Sequence, residues 1–140
     1  MKITFLDSST LTRGDIDFTP LEALSTFTHH EHTAPSEVAE RCGEVEVILT
    51  NKVVLDSEII ESLPDLKLIL VCATGVNVVD LEAARARGIP VCNVAGYSTP
   101  SVAQHAAALL LALATKVHRL ATEHDEWPRS PIFTRLTHPV

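Results

Sequence analysis

The chain has 140 residues, of which 46% are hydrophobic and 21% charged, a composition typical of one globular domain and not of a disordered protein. Its 11 Lys and Arg residues against 18 Asp and Glu give a formal net charge of −7, so its surface repels phosphate backbones and nucleic acid is not an expected partner. The first residues lack the apolar stretch of a signal peptide, and the three cysteines lack a CxxC spacing. We therefore expect a cytoplasmic protein with buried free thiols.

Short apolar runs, rich in β-branched residues, alternate with helical patterns along the chain. The predicted strands are residues 2–6, 26–28, 45–50, 68–72 and 90–94, and the predicted helices between them are residues 36–42, 56–63 and 80–87. The fourth run is apolar throughout, which is typical of a strand covered on both faces in a parallel sheet. The alternation predicts an α/β domain, with a flavodoxin-like parallel sheet of order 2-1-3-4-5 and helices on both faces.

A longer apolar helix is predicted after the fifth strand, with Thr99 as its N-cap and Pro100 in its first turn. Residues 106–114 are all apolar, so this helix has no polar face and must be covered on every side. Such a run is too short for a bilayer, which needs about 20 apolar residues, so we do not expect a membrane protein. Either a second copy of the chain or a second domain would cover the helix.

The loops at the carboxyl ends of the strands are the expected ligand-binding edge of an open parallel sheet. After the fourth strand, Thr74-Gly75-Val76 places a glycine where the backbone turns, so that its amides are available to a carboxylate or a phosphate. An ordinary turn between strand and helix is the alternative. Lys52 follows the third strand, where its ammonium either faces the same anion or is a solvated loop lysine.

Two other chemistries are not expected from this edge. His29, His30 and His32 follow the second strand, but their spacing is not that of a zinc site and no cysteine is near them in sequence. We therefore predict no metal centre. Asn51 and Asn93 stand where a phosphoreceiver domain needs an aspartate and a lysine, so phosphotransfer is excluded on chemical grounds.

Residues 70–113, LVCATGVNVVDLEAARARGIPVCNVAGYSTPSVAQHAAALLLAL, resemble the D-isomer-specific 2-hydroxyacid dehydrogenases, particularly glycerate dehydrogenases (hydroxypyruvate reductases). The resemblance rests on TGVNVVDLEAARARGI, VCNVAGYST and VAQHAAALLLAL, and Thr50-Asn51-Lys52 suits the same branch. It implies an intact oxidoreductase of two α/β domains, with NAD or NADP in a Rossmann domain and a small 2-oxo or 2-hydroxy acid in the cleft. The reactions it implies are the reduction of hydroxypyruvate or glyoxylate and the oxidation of D-glycerate.

The resemblance also implies roles for individual residues. The backbone amides of Gly75 and Val76 would hold the substrate carboxylate, and Thr74 would lie on the nicotinamide side of the cofactor. Asn51 and Lys52 would line the cleft from the third strand. The family's catalytic arginine, glutamate and histidine come from its nucleotide domain, so no catalytic residue is expected within this chain.

The sequence departs from the family pattern in one respect that bears on the cofactor. No GxGxxG motif occurs, since none of the five glycines is two residues from another. The resemblance therefore implies a substrate-binding domain over residues 1–98, an interdomain or dimer helix over 99–122, and over 123–140 the start of a linker to a nucleotide-binding domain. By itself this chain is expected to be inactive and to bind no cofactor, and a homodimer is expected. The alternative is a free-standing α/β binding or dimerisation module without dehydrogenase activity.

Overall fold

The structure is a computed structural model that describes residues 1–131. The chain forms two compact units, the first over Met1–Gly96 and the second beginning at Tyr97. The division of the chain at residues 98 and 122 remains a prediction.

The first unit is built on a five-stranded sheet in which every neighbouring pair is parallel. Its strands are β1 (Lys2–Phe5), β2 (Thr26–His29), β3 (Val47–Thr50), β4 (Leu68–Val71) and β5 (Val91–Asn93). Their order is β2-β1-β3-β4-β5, which confirms the predicted sheet. The order reverses between β1 and β3, so the chain leaves these two neighbouring strands in opposite directions along the sheet.

Four helices accompany the sheet, and they are short. They are α1 (Thr19–Glu22), α2 (Val38–Cys42), α3 (Ser57–Ser62) and α4 (Leu81–Ala86). Asp56 and Asp80 cap α3 and α4, where their carboxylates accept hydrogen bonds from the amides of Ile59 and Ala83, each at 2.9 Å. The sequence did not predict α1, because a four-residue helix is too short to show a helical period.

Hydrophobic side chains form a core on each face of the sheet, because successive strand residues point to opposite faces. On one face Ile48 and Ile69 are fully buried in a cluster with residues of α2, α3 and α4. On the other face Phe5 is buried, with Phe18 and with Leu21 of α1 packed against its cluster. Helices thus lie on both faces, as predicted.

The three cysteines are free thiols. Cys42 is buried at the end of α2, and burial raises the pKa of its thiol to about 12. Cys72 is half-buried and Cys92 is exposed. The thiols are free, as expected, but the expectation that they are buried is correct only for Cys42.

The second unit contains α5 (Thr99–Thr115), which begins one residue earlier than predicted. Ser98, and not Thr99, occupies the N-cap position, and its side chain makes no capping hydrogen bond. Pro100 lies in the first turn, as predicted, where the missing amide proton costs no intrahelical hydrogen bond. Within residues 1–131 no helix is long and apolar enough to cross a membrane.

The helix predicted over residues 99–122 is interrupted at Lys116. This residue adopts a left-handed conformation with φ +55°, and its amide bonds to the carbonyls of Ala112 and Leu113, which ends α5. A second helix, α6 (Val117–Leu120), follows, and then a 3₁₀ helix over Ala121–Arg129 in what the sequence predicted to be a linker. The rest of that predicted linker, residues 132–140, lies outside the described residues.

Four leucines of α5 are between 52% and 69% exposed. They are Leu109, Leu110, Leu111 and Leu113. Successive helical residues point about 100° apart, so these side chains cover most of the helix circumference. The expectation that no single neighbouring surface covers this helix agrees with that exposure.

Thr4 provides a stability prediction, because its side chain is 1% exposed and its hydroxyl has no hydrogen-bond partner among residues 1–131. We expect Thr4→Val, which keeps the shape and removes the unsatisfied hydroxyl, to raise the free energy of unfolding by about 1 kcal/mol. Thr50→Val is the matched control, because Thr50 is equally buried but donates a hydrogen bond to the carbonyl of Val53 at 2.9 Å. Urea unfolding should show the control destabilised by about 1 kcal/mol. Equal destabilisation of both variants would contradict the prediction.

Candidate functional site

The carboxyl ends of β1 and β3 border the point at which the strand order reverses. In open α/β sheets this is the crevice in which ligands bind. The loop after β1 forms a 3₁₀ turn over Ser8–Thr10, and the loop after β3 begins with Asn51 and Lys52. The loop after the neighbouring strand β4 holds residues 73–77.

A buried carboxylate joins the loops after β1 and β3. Asp7, 2% exposed, directly precedes the 3₁₀ turn. One of its oxygens accepts a hydrogen bond from the amide of Asn51 at 2.9 Å, and the other accepts one from the amide of Lys52 at 2.6 Å. The two β3-loop amides nearest the crevice are therefore occupied within the protein.

Asn51 is turned toward the loop after β1. Its side chain is buried, and its Nδ2 donates a hydrogen bond to Oγ1 of Thr10 at 2.9 Å. The side chain thus braces the two loops, an arrangement that the sequence did not predict. Its role in lining a substrate cleft stays a prediction.

Lys52 is exposed and lines a cavity of about 570 Å³ at this edge of the sheet. Asp7, Thr10, His32 and Asp56 are among the other residues around it. The loop after β4 does not line this cavity. The structure therefore places Lys52 and Gly75 at the same edge of the sheet, and Gly75 is not among the residues that line this cavity.

The loop after β4 is held on both sides by hydrogen bonds. The amide of Cys72 donates to the carbonyl of Thr50 at 2.8 Å, and Nδ2 of Asn93 donates to the carbonyl of Thr74 at 2.6 Å. Asn93 therefore positions this loop, a role that sequence reasoning missed because the partner lies on a neighbouring strand. The sequence signal for this role was an asparagine at the end of one strand together with a glycine turn after the preceding strand.

Between these supports, the amides of Gly75 and Val76 donate to no acceptor among residues 1–131. Gly75 is exposed and Val76 is half-buried. Consecutive backbone amides of this kind form an uncharged binding site for an anion. The arrangement suits the carboxylate predicted for this loop.

Gly75 is not held by a left-handed backbone conformation. Its φ is not in the left-handed region, unlike that of Gly14, Gly88 and Gly96. A Cβ atom at Gly75 would stand 3.0 Å from Oδ1 of Asn77, which is the end of an exposed side chain. A side chain at position 75 would therefore crowd Asn77 and lie beside the amides of Gly75 and Val76.

Comparison with known proteins identifies the family. Residues 8–134 match the model of the D-isomer specific 2-hydroxyacid dehydrogenase catalytic domain. The chain belongs to this family. It is 37% identical to a hydroxypyruvate reductase of Blautia hydrogenotrophica over 100% of this chain and 45% of that protein. It is 34% identical to a glycerate dehydrogenase of Methylorubrum extorquens over 99% of this chain and 44% of that protein.

Solved structures share the fold of this dehydrogenase-family chain. An acyclic imino acid reductase in complex with NADPH and D-Arg superposes with a TM-score of 0.76, covering 90% of this chain and 41% of its own, at 22% identity. An NAD-dependent formate dehydrogenase from Staphylococcus aureus, in complex with NAD, gives 0.68 at 27% identity, covering 89% of this chain and 41% of its own. The chain spans less than half the length of the relatives it matches.

The described residues do not fit the pyrophosphate of a dinucleotide cofactor. Such a site needs closely spaced glycines whose amides point from a helix N-terminus. The glycines with positive φ, Gly14, Gly88 and Gly96, lie in three separate loops. In the loop after β1, the amides of Ser8 and Ser9 bond to carbonyls at the end of β2.

The histidines after β2 take part in local packing. Nδ1 of His29 lies 3.2 Å from Oγ of Ser8, and its ring centroid lies 5.2 Å from that of Phe18. Burial, with a smaller contribution from the Arg41 guanidinium, lowers the pKa of His30. Within residues 1–131, no group of three or more His, Cys, Asp or Glu side chains is arranged to hold a metal ion.

The contrast between occupied and free amides predicts a difference in hydrogen exchange. Asn51 and Lys52 donate to a buried carboxylate, so their amides should exchange about a hundredfold more slowly than those of Gly75 and Val76. Exchange followed by ¹⁵N NMR on this chain at neutral pH measures all four. Protection of Gly75 or Val76 equal to that of Asn51 would show that another group already occupies the anion site.

Proposed function

We propose that this chain is the substrate-binding part of an NAD- or NADP-dependent oxidoreductase that interconverts small 2-oxo acids and D-2-hydroxy acids. The proposed reactions are the reduction of hydroxypyruvate or glyoxylate and the oxidation of D-glycerate. The observation that carries the proposal is the pair of amides of Gly75 and Val76, exposed or half-buried and without an acceptor in residues 1–131, in a chain of this family.

In this proposal the chain binds and orients the substrate. The amides of Gly75 and Val76 donate to the substrate carboxylate, and the Asn93 and Thr50 contacts hold their loop in place. Lys52 attracts the anion toward an edge of a chain whose net charge is −7. Thr74 is proposed to lie on the nicotinamide side of the cofactor, and we assign no hydride-transfer acid or base to this chain.

The cofactor would be held by protein outside the described residues, because those residues lack a dinucleotide site. When bound, NADH or NADPH supplies the hydride. The alternative function is a free-standing binding or dimerisation module. A braced amide pair would suit an anion-binding module as well, and the match of residues 8–134 to a dehydrogenase family is what favours the enzyme.

The test uses the full-length protein encoded by the reading frame that contains these 140 residues. We expect oxidation of NADH or NADPH that depends on hydroxypyruvate or glyoxylate, measured by absorbance. Absence of this activity with both cofactors and both acids would contradict the proposed function.

Gly75→Val tests the assignment of the carboxylate site. The added side chain crowds Oδ1 of Asn77 and stands beside the amides of Gly75 and Val76, so we expect it to obstruct the carboxylate and to give a higher KM for the 2-oxo acid and a kcat/KM at least tenfold lower. Gly43→Val is the control, because a Cβ atom there would make only ordinary contacts, 3.5 Å from the carbonyl oxygen of Ala39. An unchanged kcat/KM in Gly75→Val would show that the substrate carboxylate binds elsewhere.

We also propose a cytoplasmic homodimer in which a second copy covers part of α5. The exposed leucines of α5 support this, since burying a leucine side chain stabilises an assembly by roughly 1.5–3 kcal/mol.

Sedimentation of the chain across a hundredfold concentration range tests the assembly. We expect a species of twice 15.2 kDa. Leu110→Glu, which places a charge among the most exposed of these leucines, should shift the population toward monomer, and Leu24→Glu, at an equally exposed leucine outside α5, should not. A monomer at every concentration would contradict the proposed dimer.

A further inference from the structure

Asp7 is a buried carboxylate whose charge is compensated by backbone amides. Among residues 1–131 no lysine, arginine or histidine lies within ion-pair distance of it. Burying a charge is costly unless hydrogen bonds satisfy it. Here the two donors are the amides of Asn51 and Lys52, which follow Asp7 by 44 and 45 positions in the sequence. The buried charge of Asp7 thus fixes the start of the loop after β3.

The chemistry of the two contacts requires an aspartate. Both partners are N–H donors, so both side-chain oxygens must accept. An asparagine of the same shape would turn an NH₂ group toward one of the amides and lose that hydrogen bond. The contact is therefore specific to a carboxylate at this position.

A second set of hydrogen bonds closes the arrangement. The hydroxyl of Thr10 donates to the carbonyl of Asp7 at 2.7 Å and accepts from Nδ2 of Asn51 at 2.9 Å. Asn51 is thus held through its backbone and its side chain, and Lys52 follows it directly. Residues of the loop after β1 therefore set the backbone position of Lys52.

The charge of Asp7 also reaches the end of β4. Burial, and after it the negative charge of Asp7, raises the pKa of the Cys72 thiol, which directly precedes the loop of the proposed carboxylate site. An unscreened negative charge here would disfavour an anionic substrate. Bonding both carboxylate oxygens to amides disperses that charge within the protein.

We infer that Asp7 is a positioning residue: it fixes the backbone of Asn51 and Lys52 so that the Lys52 ammonium stands at the substrate edge. This inference rests on the proposed function. It assigns the substrate anion to the amides of Gly75 and Val76, with Lys52 as the nearby cation. It gives Asp7 no contact with substrate or cofactor.

A double-mutant cycle in the full-length protein tests the inference. We expect Asp7→Asn and Lys52→Ala each to raise KM for the 2-oxo acid about three- to tenfold and to change kcat less than twofold. In Lys52→Ala the increase of KM with salt that the wild type shows should largely disappear, since the attraction lost is electrostatic, and in Asp7→Asn it should shrink, since the ammonium remains but is no longer held at this edge. The double variant should have the KM of Lys52→Ala alone, because Asp7 acts through Lys52.

Two further variants control for structural damage. Glu46 accepts the amide of Lys2 and the ammonium of Lys67 at the opposite, amino-terminal edge of the sheet, so Glu46→Gln removes a comparable bridging carboxylate and should leave KM unchanged. Thr10→Val weakens the second set of hydrogen bonds without touching the buried charge, and we expect it to raise KM about twofold. If Asp7→Asn fails to fold, the KM of Thr10→Val tests the positioning role instead.

The outcomes separate the two proposals. A wild-type protein without activity on 2-oxo acids overturns the proposed function before any variant is compared. With an active wild type, additive effects in the double variant, a loss confined to kcat, or an unchanged KM in folded Asp7→Asn overturns the positioning role. If Asp7→Asn does not fold, an unchanged KM in folded Thr10→Val overturns it.

Discussion

The parallel pairing of β1 with β3 is the contact on which the rest of the first unit depends. Ile3, Thr4 and Phe5 stand opposite Val47, Ile48 and Leu49 at the centre of the sheet. β2 lies beyond β1 on one side of this pair, and β4 and β5 lie beyond β3 on the other. Right-handed crossovers that run in opposite directions along the sheet place their helices on opposite faces. That is why α1 lies on one face and α2, α3 and α4 lie on the other. The loops after β1 and β3 diverge for the same reason and leave the crevice that Asp7 bridges.

Two pairs of consecutive backbone amides lie at the same edge of the sheet and differ in whether the protein supplies an acceptor for them. One pair, from Asn51 and Lys52, is bound by the protein's own carboxylate, and the other, from Gly75 and Val76, has no acceptor in residues 1–131. Backbone amides bind an anion without adding net charge, so they suit a chain that is acidic overall. The occupancy of these amides, more than the identity of the side chains, separates the structural loop from the proposed binding loop.

The sequence predicted what local patterns determine. The five strands, the helices α2, α3 and α4, and the sheet order follow from runs of a few residues and from the handedness of crossovers. The close approach of Asn77 to Gly75 and the bond from Asp7 to Asn51 could not be predicted, because they depend on where loops meet in space. The break at Lys116 was also missed, since a lysine carries no signal for a left-handed conformation.

An anchor for the carboxylate leaves substrate choice to other groups. Every 2-oxo acid carries the carboxylate, so amides at Gly75 and Val76 would hold hydroxypyruvate and glyoxylate alike. These acids differ by one hydroxymethyl group. A pocket that only accommodates this group discriminates weakly between the two acids. A buried polar group that needs the hydroxyl as its hydrogen-bond partner discriminates strongly. Thr10 and Lys52, in the β1 and β3 loops, line the cavity at this edge, and Asp7 and Asn51 hold those two loops together. In the proposed function, selection between the two acids would therefore depend on how closely the β1 and β3 loops are held to the substrate.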